Sequence, residues 1–360
     1  MSIQFREELA KLSPYKPGRP IDDVKREYGL QEVIKLASNE NPLGCSPKAI
    51  EAIKNALGNL SLYPDGNCTV LKEALSKKLN ISVNKIILSS GLDEMIDLLA
   101  KTFFKKDDEA IMADVTFPRY IATTMMMGAK PVIVPLVNWT YDLEGMVKAI
   151  TDKTKLIWLC NPNNPTGTMF TEKELISFLD KVPENIIVVY DEAYNEFVTR
   201  DDYPKNSLPL LDKYPNIIIL KTFSKIYGLA ALRVGYTMAS EEIITNINKV
   251  RGPFNVNTLA QVAAVAALED EDFLKKTYEM NVEGKKYIYE EFDKLNLKYA
   301  PSETNHIFVN VERSANEIFV ELQKRGVIIR PMAGDWIRVS IGTMDENRLF
   351  IEKLKEVLSK

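Results

Sequence analysis

Seven short apolar runs alternate with stretches of helical periodicity between about residue 85 and residue 240. Most of the runs are continuous in apolar character, as expected for strands that are covered on both faces. Strands of this kind separated by helices are typical of α/β folds. We therefore predict an α/β domain built on a seven-stranded, mostly parallel sheet. The predicted strands are Ile86–Ser89, Ala110–Ala113, Val132–Pro135, Leu156–Cys160, Ile186–Tyr190, Ile217–Leu220 and Arg233–Met238.

The pattern changes after residue 256, where a long helical region rich in Ala, Glu and Lys precedes a mixture of strands and helices. A chain of 360 residues is too long for one simple core and suits two domains. We predict a large domain over residues 41–255 and a small α+β domain over residues 256–360, with residues 1–40 forming an N-terminal arm and part of the small domain. The small-domain elements are predicted at His306–Val311, Ala315–Arg325 with Gly326 as C-cap, Val327–Arg330, Trp336–Ile341 and a final helix capped by Thr343.

Composition excludes several classes of function. The 46 Lys and Arg against 50 Asp and Glu leave a net charge of -4, which gives no general attraction for nucleic acid or anionic membranes. No apolar run approaches a membrane span, and the first 20 residues lack the apolar core of a signal peptide. The three cysteines are far apart, as in reduced cytoplasmic proteins, and the single His306 argues against histidine-based metal sites. We therefore expect a cytoplasmic protein with no metal.

Unusual polar residues follow five of the seven predicted strands. Ligands bind beyond the carboxyl ends of the strands in open α/β sheets, so these segments should meet at one crevice. Taken singly, each has an ordinary explanation, such as a turn, a strand-end cap or a core aromatic. Their occurrence on successive strand ends favours a functional site. The segments are Ser89–Glu94, Thr116–Tyr120, Asn161–Gly167, Asp191–Tyr194 and Lys221–Lys225.

These segments contain the groups that a pyridoxal phosphate site needs. Such a site uses a lysine to hold the cofactor and move protons, and a carboxylate to keep the pyridine nitrogen protonated. It also uses a phenol and an amide at the ring's 3′-oxygen and an aromatic side chain on the ring face. Hydroxyls, backbone N–H groups and an arginine surround the phosphate. We therefore predict pyridoxal phosphate as the cofactor.

Several of these segments resemble the class I/II aminotransferases of fold type I, and within them the histidinol-phosphate aminotransferases. The strongest matches are Asn161–Gly167, Asp191–Tyr194 and Thr222–Gly235, and further matches extend from residue 15 to residue 343. The resemblance implies the fold-type-I architecture and transamination between histidinol phosphate and 2-oxoglutarate.

The resemblance also implies a role for each matching residue. Lys225 forms a Schiff base with the cofactor and carries protons, and Asp191 pairs with the pyridine nitrogen. Tyr194 and Asn164 hold the 3′-oxygen, and Tyr120 stacks on the ring. Lys225, Asp191 and Tyr194 are thus the expected catalytic residues. The other implied cofactor contacts are Thr222, Ser224, Arg233, the N–H groups of Leu92 and Asp93, and Tyr63, which reaches the other site of a homodimer.

Two arginines of the small domain concern the substrates, an amino donor and a 2-oxo acid. Arg338 matches the arginine that grips an α-carboxylate, and Arg330, helped by Tyr15, matches the one that receives a substrate phosphate. Histidinol phosphate has no carboxylate, so the division of roles between the two arginines stays open. Three alternatives stay open as well: an aromatic amino acid aminotransferase, a threonine-phosphate decarboxylase, and a non-catalytic pyridoxal-phosphate-sensing regulator. The regulator would need a DNA-binding module, and only some 40 residues precede the core.

Overall fold

The computed structural model describes residues 3–14 and 17–359. The strands are β1 (Ile34–Lys35), β2 (Ile86–Ser89), β3 (Glu109–Ala113), β4 (Lys130–Val134), β5 (Thr154–Cys160), β6 (Ile187–Asp191), β7 (Ile217–Thr222), β8 (Gly235–Met238), β9 (His306–Asn310), β10 (Val327–Ile328), β11 (Arg330–Pro331) and β12 (Trp336–Ser340). The α-helices are α1 (Ile21–Tyr28), α2 (Pro47–Ala56), α3 (Thr69–Leu79), α4 (Gly91–Phe103), α5 (Arg119–Met126), α6 (Leu143–Lys148), α7 (Glu172–Leu179), α8 (Leu210–Lys213), α9 (Glu241–Asn248), α10 (Thr258–Leu268), α11 (Glu271–Lys294), α12 (Ala315–Gln323) and α13 (Met344–Leu358).

The seven-stranded sheet has the order β2-β8-β7-β6-β5-β3-β4. Only β8 runs antiparallel to its neighbours, and the other pairs are parallel. The predicted sheet is therefore confirmed. Its central strands are buried along almost their whole length, which explains why they read as continuous apolar runs.

One strand of the large sheet starts later than predicted. Strand β8 begins at Gly235 rather than Arg233, because Arg233 has a left-handed backbone with φ of 54°. A residue in that conformation cannot continue a strand. The backbone instead turns at Arg233, immediately before the strand enters the sheet.

The predicted strand Val327–Arg330 is divided between two sheets. Strand β10 pairs in parallel with β1, and β11 pairs antiparallel with β12, which in turn pairs with β9. The chain changes sheet at Ile329, which is fully buried. This crossing brings Arg330 opposite Arg338 in register.

Helix ends follow the predicted capping chemistry in two places. The hydroxyls of Thr171 and Thr343 each accept from the backbone N–H of the glutamate three residues later, and that glutamate's carboxylate accepts from the threonine backbone N–H. These pairs are complete capping boxes on α7 and α13. Helix α12 ends at Gln323, with Lys324 as its C-cap and Gly326 two residues beyond at φ of 82°.

Buried apolar side chains form two main groups. One surrounds the seven-stranded sheet and runs from Ala49 to Leu268, and the other surrounds β9 and β12 and includes Leu36. No helix among the described residues is long and apolar enough to cross a membrane.

Candidate active site

A cavity of about 390 Å³ opens at the carboxyl ends of β5, β6 and β7, between the start of α4 and the small β9–β12 sheet. This is the position expected for a ligand in an open α/β sheet. Eleven of the fourteen predicted site residues line it: Leu92, Asp93, Asn164, Asp191, Tyr194, Thr222, Ser224, Lys225, Arg233, Arg330 and Arg338. Tyr120 and Tyr63 do not line it, and Tyr15 lies outside the described residues.

Lys225 has a pKa well below that of an ordinary lysine. It follows β7, and its Nζ lies 3.2 Å from the Ser38 carbonyl and 3.4 Å from the Asn39 carbonyl. Burial and, to a smaller extent, the positive charge of Arg338 together lower the pKa of Lys225 to about 7. A neutral amine of this kind can act as a nucleophile or a base.

Asp191 ends β6 as a buried carboxylate. Its Oδ2 accepts from the Tyr120 hydroxyl at 2.6 Å, and its Oδ1 accepts from the Ala193 N–H at 3.0 Å. Burial raises the pKa of Asp191 to about 6, and these hydrogen bonds oppose the rise. A cationic partner in the cavity would stabilise the ionised carboxylate.

The expectation that Tyr120 stacks on a bound ring is wrong. Its side chain is fully buried, its ring stacks on Trp158 with centroids 4.7 Å apart, and its hydroxyl donates to Asp191. Because α5 begins at Arg119, Tyr120 belongs to the helix and turns inward toward the core. Phe117, in the loop before the helix, lines the cavity instead.

An anion cradle forms where α4 begins. The Thr222 hydroxyl accepts from the Ser224 N–H, and Arg233 Nη1 donates to the Ser224 hydroxyl at 3.4 Å. Gly91 has φ of 75°, a backbone conformation that favours glycine, and a Cβ there would displace the Arg233 guanidinium from its position. The cradle therefore combines an arginine, two hydroxyls and the positive end of a 13-residue helix, which suits a phosphate.

The opposite side of the cavity is formed by the small sheet. Arg338 Nη1 donates to the Asn164 side-chain oxygen and Nη2 donates to the Ala37 carbonyl, both at 2.6 Å. Arg330 lines the same side. The Tyr194 hydroxyl accepts from the Asn39 amide at 2.9 Å, and burial raises the pKa of Tyr194 to about 12, so this phenol is protonated.

Tyr63 lies on the surface, outside this cavity. It is 82% exposed and stacks on Phe254 with centroids 4.8 Å apart. Other exposed apolar residues occur nearby in sequence, between α2 and α3 and at the start of α3: Leu57, Leu60, Leu62 and Val70. Such a group of exposed apolar side chains is typical of a protein–protein contact.

Sequence reasoning assigned no role to several residues that line the cavity. Ring stacking was assigned to Tyr120, three positions later in the same segment, and no role was assigned to Phe117. The segment Ser38–Gly44, after β1, gave a stronger signal, because it is one of the further matches to the aminotransferases between residue 15 and residue 343, although no role was assigned to it. The cavity residues without a predicted role are Ala37, Ser38, Asn39, Glu40, Phe117, Arg119, Cys160, Ala193 and Ala230.

Comparison with known proteins gives one consistent family. The chain matches the family described as aminotransferase class I and II over residues 31–354. It is 49% identical to a histidinol-phosphate aminotransferase of Caldicellulosiruptor saccharolyticus, over 98% of this chain and 100% of that protein. It is 45% identical to the enzyme of the same name from Brevibacillus brevis, over 99% of both chains.

Solved structures agree with this assignment. The structure of a histidinol-phosphate aminotransferase from Sinorhizobium meliloti in complex with pyridoxal 5′-phosphate superposes with a TM-score of 0.91 at 28% identity, covering 100% of this chain and 98% of that one. An aromatic aminotransferase from Pyrococcus horikoshii superposes with a TM-score of 0.80 at 24% identity, covering 94% of this chain and 99% of that one. The second likeness shows the shared fold alone.

Proposed function

Because the chain belongs to the class I and II aminotransferases, we propose that it uses pyridoxal phosphate to transfer the amino group of histidinol phosphate to 2-oxoglutarate. The observation that carries the proposal is one cavity that combines Lys225, with a pKa of about 7, the buried carboxylate of Asp191 and an anion cradle. The name shared by relatives at 49% and 45% identity supports the substrate. The alternatives, an aromatic amino acid aminotransferase and a threonine-phosphate decarboxylase, have no such support.

The residues around the cavity fit this cofactor. A protonated pyridine nitrogen would give Asp191 the cationic partner that its burial calls for, and a phosphate fits the cradle of Thr222, Ser224 and Arg233. Leu92 and Asp93, at the start of α4, would supply backbone N–H groups to the phosphate. A ring held between these two points would lie in the cavity that Phe117 lines.

Each of the remaining groups has one task in the reaction. When bound, pyridoxal phosphate supplies an aldehyde for the amino group and a ring that withdraws electrons from the substrate's reacting carbon. Lys225 would hold the cofactor through Nζ and, once the substrate's amino group has replaced Nζ there, would be the free base that takes a proton from the substrate. Asp191 holds the proton on the pyridine nitrogen. Tyr194 and Asn164 hold the ring oxygen, and Asn164 is itself held by Arg338.

The reaction can be followed by absorbance, and this gives the direct test. Purified protein loaded with pyridoxal phosphate should lose its visible band when histidinol phosphate is added without a keto acid. Adding 2-oxoglutarate should restore the band. Faster loss of the band with phenylalanine or tyrosine than with histidinol phosphate would assign the chain to the aromatic aminotransferases instead.

The pKa of Lys225 predicts when the protein captures its cofactor. Only the neutral amine reacts with an aldehyde, and the folded-state pKa of Lys225 lies below the ordinary value of 10.5, at about 7. The capture rate of cofactor-free protein should therefore rise as pH passes through about 7 and level off above it. Stopped-flow absorbance from about pH 6 to about pH 10 measures this rate. Arg338→Met should move the midpoint upward, whereas a midpoint near 10 in the parent would contradict the buried lysine.

Arg330 is the proposed contact for the substrate phosphate. It lines the cavity on the side opposite the cradle, beside Arg338 in register. Losing one charge-assisted contact costs about 1.5–3 kcal/mol, so Arg330→Ala should lower kcat/KM for histidinol phosphate roughly tenfold to hundredfold. Any turnover of phenylalanine should fall much less. Equal losses of kcat/KM for histidinol phosphate and phenylalanine in steady-state assays would mean that Arg330 stabilises the fold or serves a step common to both donors. The proposed help from Tyr15 concerns a residue outside the described part of the chain.

We also propose that the chain works as a homodimer in which Tyr63 reaches the phosphate bound by the other subunit. Three observations support this arrangement: Tyr63 is exposed, it does not line its own cavity, and exposed apolar residues occur near it in sequence. Mixing Tyr63→Phe subunits with Lys225→Ala subunits should give hybrids with one intact site. Activity of purified hybrids above both parents is the expected result, and hybrids as inactive as the parents would contradict it.

Two further proposals concern organisation and location. The two groups of buried apolar residues support domains over residues 41–255 and 256–360, with residues 1–40 forming an N-terminal arm and part of the small domain. A biosynthetic amino-group transfer and well-separated free cysteines support a cytoplasmic location.

A further inference from the structure

His306 is the chain's single histidine, and it lies directly behind the cavity. It begins β9, is fully buried and stands edge-to-face against the Tyr194 ring, with centroids 5.1 Å apart. Its Nδ1 lies 3.0 Å from Asn39 Nδ2 and 2.9 Å from the Thr304 hydroxyl. Among the described residues Nε2 has no partner with hydrogen-bond geometry, although the Pro165 carbonyl is close enough to raise the pKa of the ring. Buried polar atoms are rarely left in this state, so the residue calls for an explanation.

Asn39 connects this histidine to the phenol of Tyr194. The Asn39 backbone N–H donates to the Ser340 hydroxyl at 2.8 Å, and that hydroxyl donates back to Asn39 Oδ1 at 3.0 Å. With Oδ1 engaged, Nδ2 donates one hydrogen to the Tyr194 oxygen and the other to His306 Nδ1. Three of the four side-chain hydrogen-bonding positions of Asn39 are therefore used, with Oδ1 on Ser340 and Nδ2 on Tyr194 and His306.

The donation from Asn39 determines what the Tyr194 hydroxyl can do. A phenol has one hydrogen to donate, and here its oxygen already accepts a hydrogen from the amide. No acceptor for the phenolic hydrogen occurs among residues 3–14 and 17–359, and Tyr194 lines the cavity. The hydrogen is therefore available to a ligand in the cavity.

We propose that Asn39, held in place by His306 and Ser340, is a positioning residue that makes Tyr194 donate its hydroxyl hydrogen to the ring oxygen of the cofactor. The inference rests on the proposed function and adds residues that act through Tyr194 rather than on the reacting atoms. Strands β9 and β12 supply His306 and Ser340, so the small sheet orients a phenol that follows β6 of the large sheet.

His306 serves this purpose as a neutral ring. Because Asn39 Nδ2 donates to Nδ1, the ring hydrogen belongs on Nε2. Burial lowers the pKa of His306 well below its usual value, and the positive charges of Arg338, Lys225 and Lys285 act in the same direction. The charged groups that face Tyr194 are Arg338, Asp191 and Lys225, whose Nζ lies 5.5 Å from the centre of the Tyr194 ring. His306 therefore stays an acceptor for Asn39 across the working pH range.

A spectroscopic titration of the loaded protein tests the proposal. A donor at the ring oxygen stabilises the anionic form of that oxygen, so weaker donation raises the pH midpoint of the visible-band titration. Tyr194→Phe should raise the midpoint. Asn39→Gly, which tolerates the left-handed backbone of φ 55°, should raise it by about 0.5–1 pH unit. Asn39→Gly should add nothing in the Tyr194→Phe background if Asn39 acts through Tyr194.

Two substitutions of His306 form a matched pair. His306→Asn keeps a possible acceptor at the position of Nδ1, and His306→Leu removes it with similar branching. His306→Leu should shift the midpoint upward by less than Asn39→Gly, and His306→Asn should return it close to the parent value. Circular dichroism checks that each variant folds. If Asn39→Gly does not fold, the comparison of His306→Leu with His306→Asn tests the proposal.

Three results would overturn the inference. These are an unshifted midpoint in folded Asn39→Gly, a full additional shift in the double variant, or equal midpoints for the two histidine variants. Absence of any visible band in the loaded parent would instead contradict the proposed function.

Discussion

Lys225→Ala should lower the turnover of histidinol phosphate by at least about 10⁴-fold. The substitution removes both the nucleophile that binds the aldehyde carbon and the base that moves the proton. Asp191 and the cradle of Thr222, Ser224 and Arg233 stay in place, so pyridoxal phosphate should still bind without covalent attachment. Steady-state kinetics measures the loss, and borohydride reduction followed by peptide mapping should find the adduct on Lys225 in the parent and on no residue in the variant.

Lys285 offers a matched control for this experiment. It is also buried, and burial also lowers its pKa, but its Nζ donates to the Ser302 carbonyl and it does not line the cavity. Lys285→Met should lower the melting temperature while leaving turnover per folded molecule within about threefold of the parent. Recovery of the borohydride adduct on Lys285, or on any lysine other than Lys225, would contradict the assignment.

Asp191→Asn should lower kcat by about 10²–10⁴-fold with the cofactor still bound. An amide cannot stabilise a positive charge on the pyridine nitrogen, so the ring withdraws electrons less strongly. Absorbance establishes loading, and single-turnover kinetics measures the chemical step.

Glu192→Gln is the control for Asp191→Asn, because the neighbouring carboxylate is equally buried but contacts Ser207 and Lys221 instead of the cavity. Glu196 remains beside Lys221 in that variant, 3.4 Å away. Turnover close to the parent is expected for Glu192→Gln. A similar loss of turnover in Asp191→Asn and Glu192→Gln would mean that removing either carboxylate charge at the end of β6 disturbs the site.

The large sheet was predictable because its strands are buried on both faces. Each predicted strand agrees with the structure to within two residues at either end, for example Ile217–Leu220 against β7. A strand in the middle of such a sheet must be apolar on both sides, which leaves a signal in the sequence itself. The sequence did not distinguish β10 from β11. Each strand has only two residues, and the apolar residues on either side of the crossing at Ile329 were predicted as one strand.

Most of the cavity residues were predictable for a related reason. The carboxyl ends of parallel strands meet at one edge, so Asn164, Asp191 and Lys225 could be grouped before any coordinates were known. The choice between Phe117 and Tyr120 could not be made in this way. It depends on where α5 begins and which side of its first turn faces the core, and helix ends are poorly defined by local sequence.

The sequence by itself determined the order of strands and helices, the chemical groups at the strand ends and the family to which they belong. These properties follow from local apolar patterns and from residue types at fixed spacing. Only the tertiary structure decided that the pKa of Lys225 is lowered to about 7 and that the Asn39 amide donates to the Tyr194 hydroxyl oxygen. Both depend on burial and on charges or hydrogen bonds from distant parts of the chain, such as Arg338 and Ser340. Interactions of that kind exist only after the two sheets have packed together.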